Sequence, residues 1–82
     1  MASAADTDTL VRYLIESLVD NPDDVSIAKN DEGRQTVYEV QVHTDDVGKV
    51  IGRQGRVIKA IRTLVRAAAS VDGADATVEI LG

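Results

Sequence analysis

Gly52 and Gly55 stand three residues apart in a stretch that also carries Lys49, Arg53, Gln54 and Arg56. Residues of these types at this spacing are suited to holding a phosphate. Glycine lets a backbone approach a phosphodiester with no Cβ in the way. A helix beginning just after the second glycine would aim free N–H groups and the positive end of its dipole at an anion. Lys49, Arg53 and Arg56 would add mobile positive charge. The stretch is not a Walker loop, because the Lys-Ser/Thr pair that would follow is absent. A tight corner with incidental glycines would also contain G-x-x-G. The coincidence of helix, loop, helix and basic stripe favours the phosphate reading.

Little else in the chain offers chemistry. His43 is the single histidine and there is no cysteine, so no nucleophile–base pair is visible. His43 falls on the polar side of a strand, as a solvated side chain or one at the edge of a bound ligand. Asp45 and Asp46 could ligate Mg²⁺, yet they lie where a helix wants an N-cap and a negative first turn. Capping is the reading adopted, with no metal site and no cofactor. The pairs Asp23-Asp24 and Asp31-Glu32 read as solvated turn charge.

The elements that must position the glycines follow from periodicity. Asp6 to Thr9 supplies N-cap candidates, and Leu10, Leu14 and Leu18 then recur beside Val11, Ile15 and Val19, predicting an amphipathic helix. Asn21-Pro22 ends it. Val25 to Lys29 alternates as a short strand, and Asn30 to Gly33 is a turn. Thr36 to His43 forms a second strand with Tyr38, Val40 and Val42 on its apolar face. Tyr38 is assigned to the core. A short helix is expected from Asp46 to Ile51. A longer one starts at Arg56, with Val57, Ile58, Ile61, Leu64, Val65 and Ala68 on one side and Arg56, Lys59, Thr63 and Arg66 on the other. Asp72-Gly73 closes it, and Ala76, Val78 and Ile80 mark a final strand. The order αββααβ predicts an α+β domain: a three-stranded sheet with three helices on one face.

Composition first argues against a nucleic-acid partner, since the 82 residues carry a net charge of -5. The distribution reverses that argument. All six basic residues from Val47 to Val71 (Lys49, Arg53, Arg56, Lys59, Arg62, Arg66) stand in a stretch with no acidic residue; the remainder holds three basic and 14 acidic ones. One small domain is expected over residues 6–82, after a flexible segment at residues 1–5. With no disulfide staple and only roughly 60 % of the unfolded surface buried at this length, stability is expected to be modest. The opening residues lack a signal-peptide pattern and no apolar run approaches a membrane span, so a cytoplasmic protein without membrane insertion is the expectation.

Ile51-Gly52-Arg53-Gln54-Gly55-Arg56-Val57-Ile58 resembles the I-G-x-x-G-x-x-I signature of K-homology (KH) domains. The αββααβ order is similar to the type II, bacterial arrangement. The length, and Leu18 to Val25, resemble the KhpA family of stand-alone KH proteins. The resemblance covers nearly the whole chain, although only Ile51 to Ile58 is highly specific. It implies a helix–GxxG–helix clamp for about four nucleotides of single-stranded RNA or DNA. Lys49, Val50, Ile51, Gly52, Arg53, Gln54, Gly55, Arg56, Ile58 and Lys59 are then the RNA-binding candidates, with Arg62 and Arg66 extending the field. Bases would lie in an apolar groove lined by Val50, Ile51, Val57, Ile58 and one face of Thr36 to His43. The resemblance also implies a non-enzymatic RNA chaperone, a homodimer or a heterodimer with a larger KhpB-type protein, and an effect on cell-wall growth and cell shape. The scarcity of aromatic residues agrees, since the RRM and the OB-fold stack bases on rings, and this chain has no Phe or Trp and only Tyr13 and Tyr38. The rival reading is a protein-interaction module whose basic helix docks an acidic partner around a vestigial loop.

Overall fold

The computed structural model describes residues 4–81, with side chains from Thr7 onward. Three apolar helical faces meet one apolar sheet face, and each element exists because it contributes to that junction. Helix α1 (Ala4–Leu18) buries Val11 and Ile15 completely. The N-cap expected between Asp6 and Thr9 is corrected here: the helix is already running at Ala4, and Thr7 lies inside it with 3 % exposure. Residues 1–3 of the expected flexible segment lie outside the described residues, while Ala4 and Ala5 belong to the first turn of α1. Beyond Leu18 the chain passes Asn21 into a single 3-10 turn, Pro22–Asp24, where proline stands at a helical first position that needs no N–H.

Strands β1 (Ser26–Glu32) and β2 (Gln35–Gln41) pair antiparallel, from Ser26 opposite Gln41 to Glu32 opposite Gln35. The first strand therefore runs three residues past Lys29. The turn is only Gly33-Arg34, with Gly33 at φ 68 in the first central position, where glycine is favoured. Polar partners extend the ladder: Thr36 Oγ1 donates to Asp31 Oδ1 at 3.1 Å, and the Asn30 amide donates to Glu39. Strand β2 stops at Gln41, two residues short of the expected end, because His43 turns away to cap a 3-10 turn, Thr44–Asp46. Its Nδ1 accepts the Asp45 N–H at 3.0 Å at the start of that turn.

Helices α2 (Val47–Ile51) and α3 (Arg56–Ser70) form the crossover to β3 (Asp75–Leu81), which pairs parallel to β2. The sheet order is β1-β2-β3, so β2 is central and β1 and β3 are edges. Gly73 at φ 72 ends α3 as expected, and the Ala74 N–H closes back on the Ala69 carbonyl at 3.1 Å.

All three helices cover one sheet face. Val11, Ile15, Val50, Ile58, Ile61, Val65 and Ala69 from the helices meet Tyr38, Val40, Ala76 and Val78 from the sheet in one cluster. Tyr38 is in the core as expected, 2 % exposed, and its hydroxyl donates to Asp8 of α1. Burial pushes that hydroxyl's pKa up, with the Asp8 hydrogen bond and charge adding to the rise. Across the open face, the register places Glu32, Gln35 and Asp75 side by side, and likewise Ala28, Glu39 and Glu79. The acidic frame inferred from the charge distribution thus includes the sheet surface opposite the helices.

Candidate nucleic-acid interface

Three of the four residues between α2 and α3 have positive φ: Gly52 at 76, Gln54 at 57 and Gly55 at 73. The two glycines are required for different reasons. A β-carbon on Gly52 would meet the first turn of α3, whereas one on Gly55 would make only an ordinary contact with Ile58 and suffer only from the backbone angle. Gln54 adopts the left-handed conformation without being glycine, the sole such case among the described residues. Backbone strain of this kind costs about 1 kcal/mol or more and persists where the surroundings impose it. Here the short connection between α2 and the start of α3 imposes it.

The corner consumes some of its own N–H groups. Gly52 N–H donates to the Gly48 carbonyl at 2.8 Å, Gly55 N–H to Gly52 at 3.1 Å, and Arg56 N–H to Arg53. The Arg53 and Gln54 N–H groups belong to the same 3-10 turn. They stand at the N-terminal end of the 15-residue α3, where the helix dipole favours negative charge. Arg53, Gln54, Arg56 and Lys59 all have exposed side chains around them, and Arg56 Nη2 donates to Gln54 Oε1 at 3.3 Å.

Other candidates occupy different places. Val50 is fully buried and Ile58 is 6 % exposed, so both form the floor beneath the corner rather than its surface. Ile51 and Val57 are half-buried and remain at the surface beside it. The expected groove wall is corrected: the apolar face of Thr36 to His43 is core, with Tyr38, Val40 and Val42 between 0 and 7 % exposed. As the central strand, β2 has both edges paired, and the free edge nearest α3 belongs to β3. Arg62 does not extend the basic field outward. Its Nε donates to the Val78 carbonyl of β3 at 2.8 Å and covers part of that open edge. Arg66 is exposed.

Lys49 is engaged too. Its ammonium pairs with Asp20 and lies 3.4 Å from Asp46 Oδ1. The Asp20 hydrogen bond holds its pKa above the ordinary lysine range against partial desolvation, with Asp46 adding to the rise. The expected capping role of Asp46 is corrected: it occupies the N-cap position of α2 but makes no side-chain cap bond. Its completely buried carboxylate accepts instead from Asp20 N–H at 3.2 Å, Asn21 N–H at 3.0 Å and Asn21 Nδ2 at 3.1 Å. Burial pushes its pKa up, and the Asn21, Asp20 and Lys49 donors outweigh that and hold it below the usual range. The buried carboxylate ties the five-residue α2 to the segment after α1. The only sequence signal for it is the polar run Asp20-Asn21, which by itself reads as a helix stop. Two clefts with room for about 60 and 170 Å³ flank Tyr38 and Lys29, and no residue of the corner lines either.

The family model described as "KhpA/KhpB, KH domain" matches residues 8–80. The "RNA-binding protein KhpA" of Halalkalibacterium halodurans is 52 % identical over 62 residues, which are 76 % of this chain and 82 % of that protein. The protein of the same name in Streptomyces coelicolor is 53 % identical over 57 residues, covering 70 % and 72 % of the two chains. That of Clostridium perfringens is 44 % identical over 72 residues, covering 88 % and 96 %. A crystal structure of Aquifex aeolicus Era bound to GDP.AlF4- superposes with a TM-score of 0.63 at 19 % identity, over 90 % of this chain and 29 % of that one. At that identity the likeness is one of fold.

Proposed function

The chain belongs to the KhpA/KhpB KH-domain family, and from that premise we propose that it is a non-enzymatic binder of short single-stranded RNA. The GxxG corner is the clamp. One backbone phosphate sits against the backbone of Arg53 and Gln54 at the head of α3. The Arg53, Arg56 and Lys59 side chains meet that phosphate and its neighbours. Bases lie over Ile51 and Val57 toward the free edge of β3, with Val50 and Ile58 fixing the corner from below. The observation that carries this reading is the corner itself: three positive φ angles and exposed cations at one helix start. The names of the relatives support RNA as the ligand. An RNA-chaperone activity, a second copy or a larger KhpB-type protein as partner, an effect on cell-wall growth and shape, and a cytoplasmic setting are proposed on the family resemblance alone.

A second reading, α3 as a protein-docking helix, is favoured by one observation. Leu64 and Val71, two helical turns apart, are 51 % and 65 % exposed. Titration of isotopically labelled protein with a single-stranded RNA decamer separates the two. The RNA reading expects the largest amide shifts from Gly52 to Arg56. Shifts confined to the Leu64–Val71 side, or none at all, contradict it.

A further inference from the structure

Lys49 lies in the last turn of α2, three residues before Gly52, so its stem shares a helical side with the first residue of the corner. Its ammonium is held chiefly by Asp20, 29 positions earlier in the chain. The two acids that meet it differ in what they need. Asp46 is buried and already accepts three N–H bonds, so it stays satisfied when the ammonium moves. The Asp20 carboxylate is 76 % exposed, and Lys49 is its one side-chain partner among the described residues. Breaking the Asp20–Lys49 pair therefore strands no buried charge.

We propose that Asp20 acts as a built-in competitor for the RNA backbone at Lys49. In the free protein its carboxylate occupies the ammonium, as a phosphate oxygen would. When a phosphodiester enters beside Gly52, Lys49 exchanges Asp20 for it, and the released carboxylate turns to water. The inference rests on reading the corner as the RNA site. Its consequence is that Asp20 weakens binding to any anion that engages Lys49 alone, and so favours chains that engage the whole corner. Exposed ion pairs of this kind are worth little, so the exchange is inexpensive.

Fluorescence anisotropy with a labelled single-stranded RNA decamer tests the exchange in four proteins: wild type, Asp20→Asn, Lys49→Gln and the double variant. Asp20→Asn keeps the backbone N–H that Asp46 accepts, so the fold is retained, and matching thermal unfolding checks this. Asp20→Asn is expected to tighten RNA binding roughly two- to five-fold. It should also steepen the slope of log K against log[salt] by up to about 0.7. In the Lys49→Gln background the same change should have no effect. An Asp20→Asn protein that binds like wild type overturns the proposal. So does a gain that persists without Lys49, which would mean general repulsion by Asp20. If substitutions at Arg53 and Gln54 still abolish binding in that case, only the exchange has failed and the RNA site stands.

Discussion

A β-carbon on Gly52 would lie 2.4 Å from Val57 Cγ2 and 2.9 Å from the Val57 backbone nitrogen. The first glycine of the corner is thus set by the first turn of α3, which cannot withdraw because Ile58 and Ile61 anchor it in the core. Gly55 meets nothing closer than Ile58 Cγ2 at 3.9 Å, and only its φ of 73 calls for glycine.

The two positions should therefore respond unequally. Gly55→Ala is expected to cost about 1–2 kcal/mol, the penalty of a left-handed alanine. Gly52→Ala carries a larger angle penalty, since φ 76 with ψ 172 is a region open essentially to glycine alone, and a clash worth about another 1–3 kcal/mol. Urea unfolding of both variants measures the difference, and equal losses would contradict the packing account.

Gln54 offers the opposite experiment. Replacing it with glycine removes the penalty of its φ of 57. Gln54→Gly is expected to raise stability by about 1 kcal/mol, which a shift of the urea midpoint at constant slope would report. A loss of stability would mean that the Gln54–Arg56 contact outweighs the backbone strain.

Asp46 should govern part of the acid limb. Its folded pKa lies below the unfolded value of about 3.9. The stability it contributes is fully present above that unfolded value and is lost as pH falls through the lower folded one. The stability difference between wild type and Asp46→Asn should accordingly be greatest near neutral pH and shrink toward acid. Asp45→Asn is the control, because that side chain is 82 % exposed and should change little. A constant Asp46 difference across the acid range would refute the linkage.

The features legible in the sequence and those hidden from it divide along physical lines. Local periodicity places six elements, because apolar residues at helical and strand spacing have one face to bury. Gly52 and Gly55 are legible because few residues tolerate the angles a sharp helix–helix corner demands. The end of β1 is not, since Asn30, Asp31 and Glu32 are held by Glu39, Thr36 and backbone pairing rather than by an apolar alternation. The groove wall is misplaced by sequence because alternation identifies a strand's apolar face without saying whether the strand is central or at an edge. Asp46 and Lys49 stand out as individual residues but not as a cluster with Asn21 and Asp20, since no local pattern reports a contact spanning 25 to 29 positions.

Salt should expose the phosphate contacts. Three or four neutralised phosphates predict a slope of log K against log[salt] of about -2 to -3 for single strands. Arg56→Gln should make it shallower by about 0.7. A flat dependence would assign the affinity to the Ile51–Val57 surface instead.

The most direct measurement is the RNA affinity of the double variant Arg53→Asp with Gln54→Asp, by anisotropy beside the wild type. Both side chains are exposed and neither belongs to the core, so the fold should persist with the same circular dichroism. A clamp at the corner predicts that binding of a single-stranded decamer is abolished. Undiminished affinity in a folded double variant would contradict the assignment of the GxxG corner as the RNA clamp.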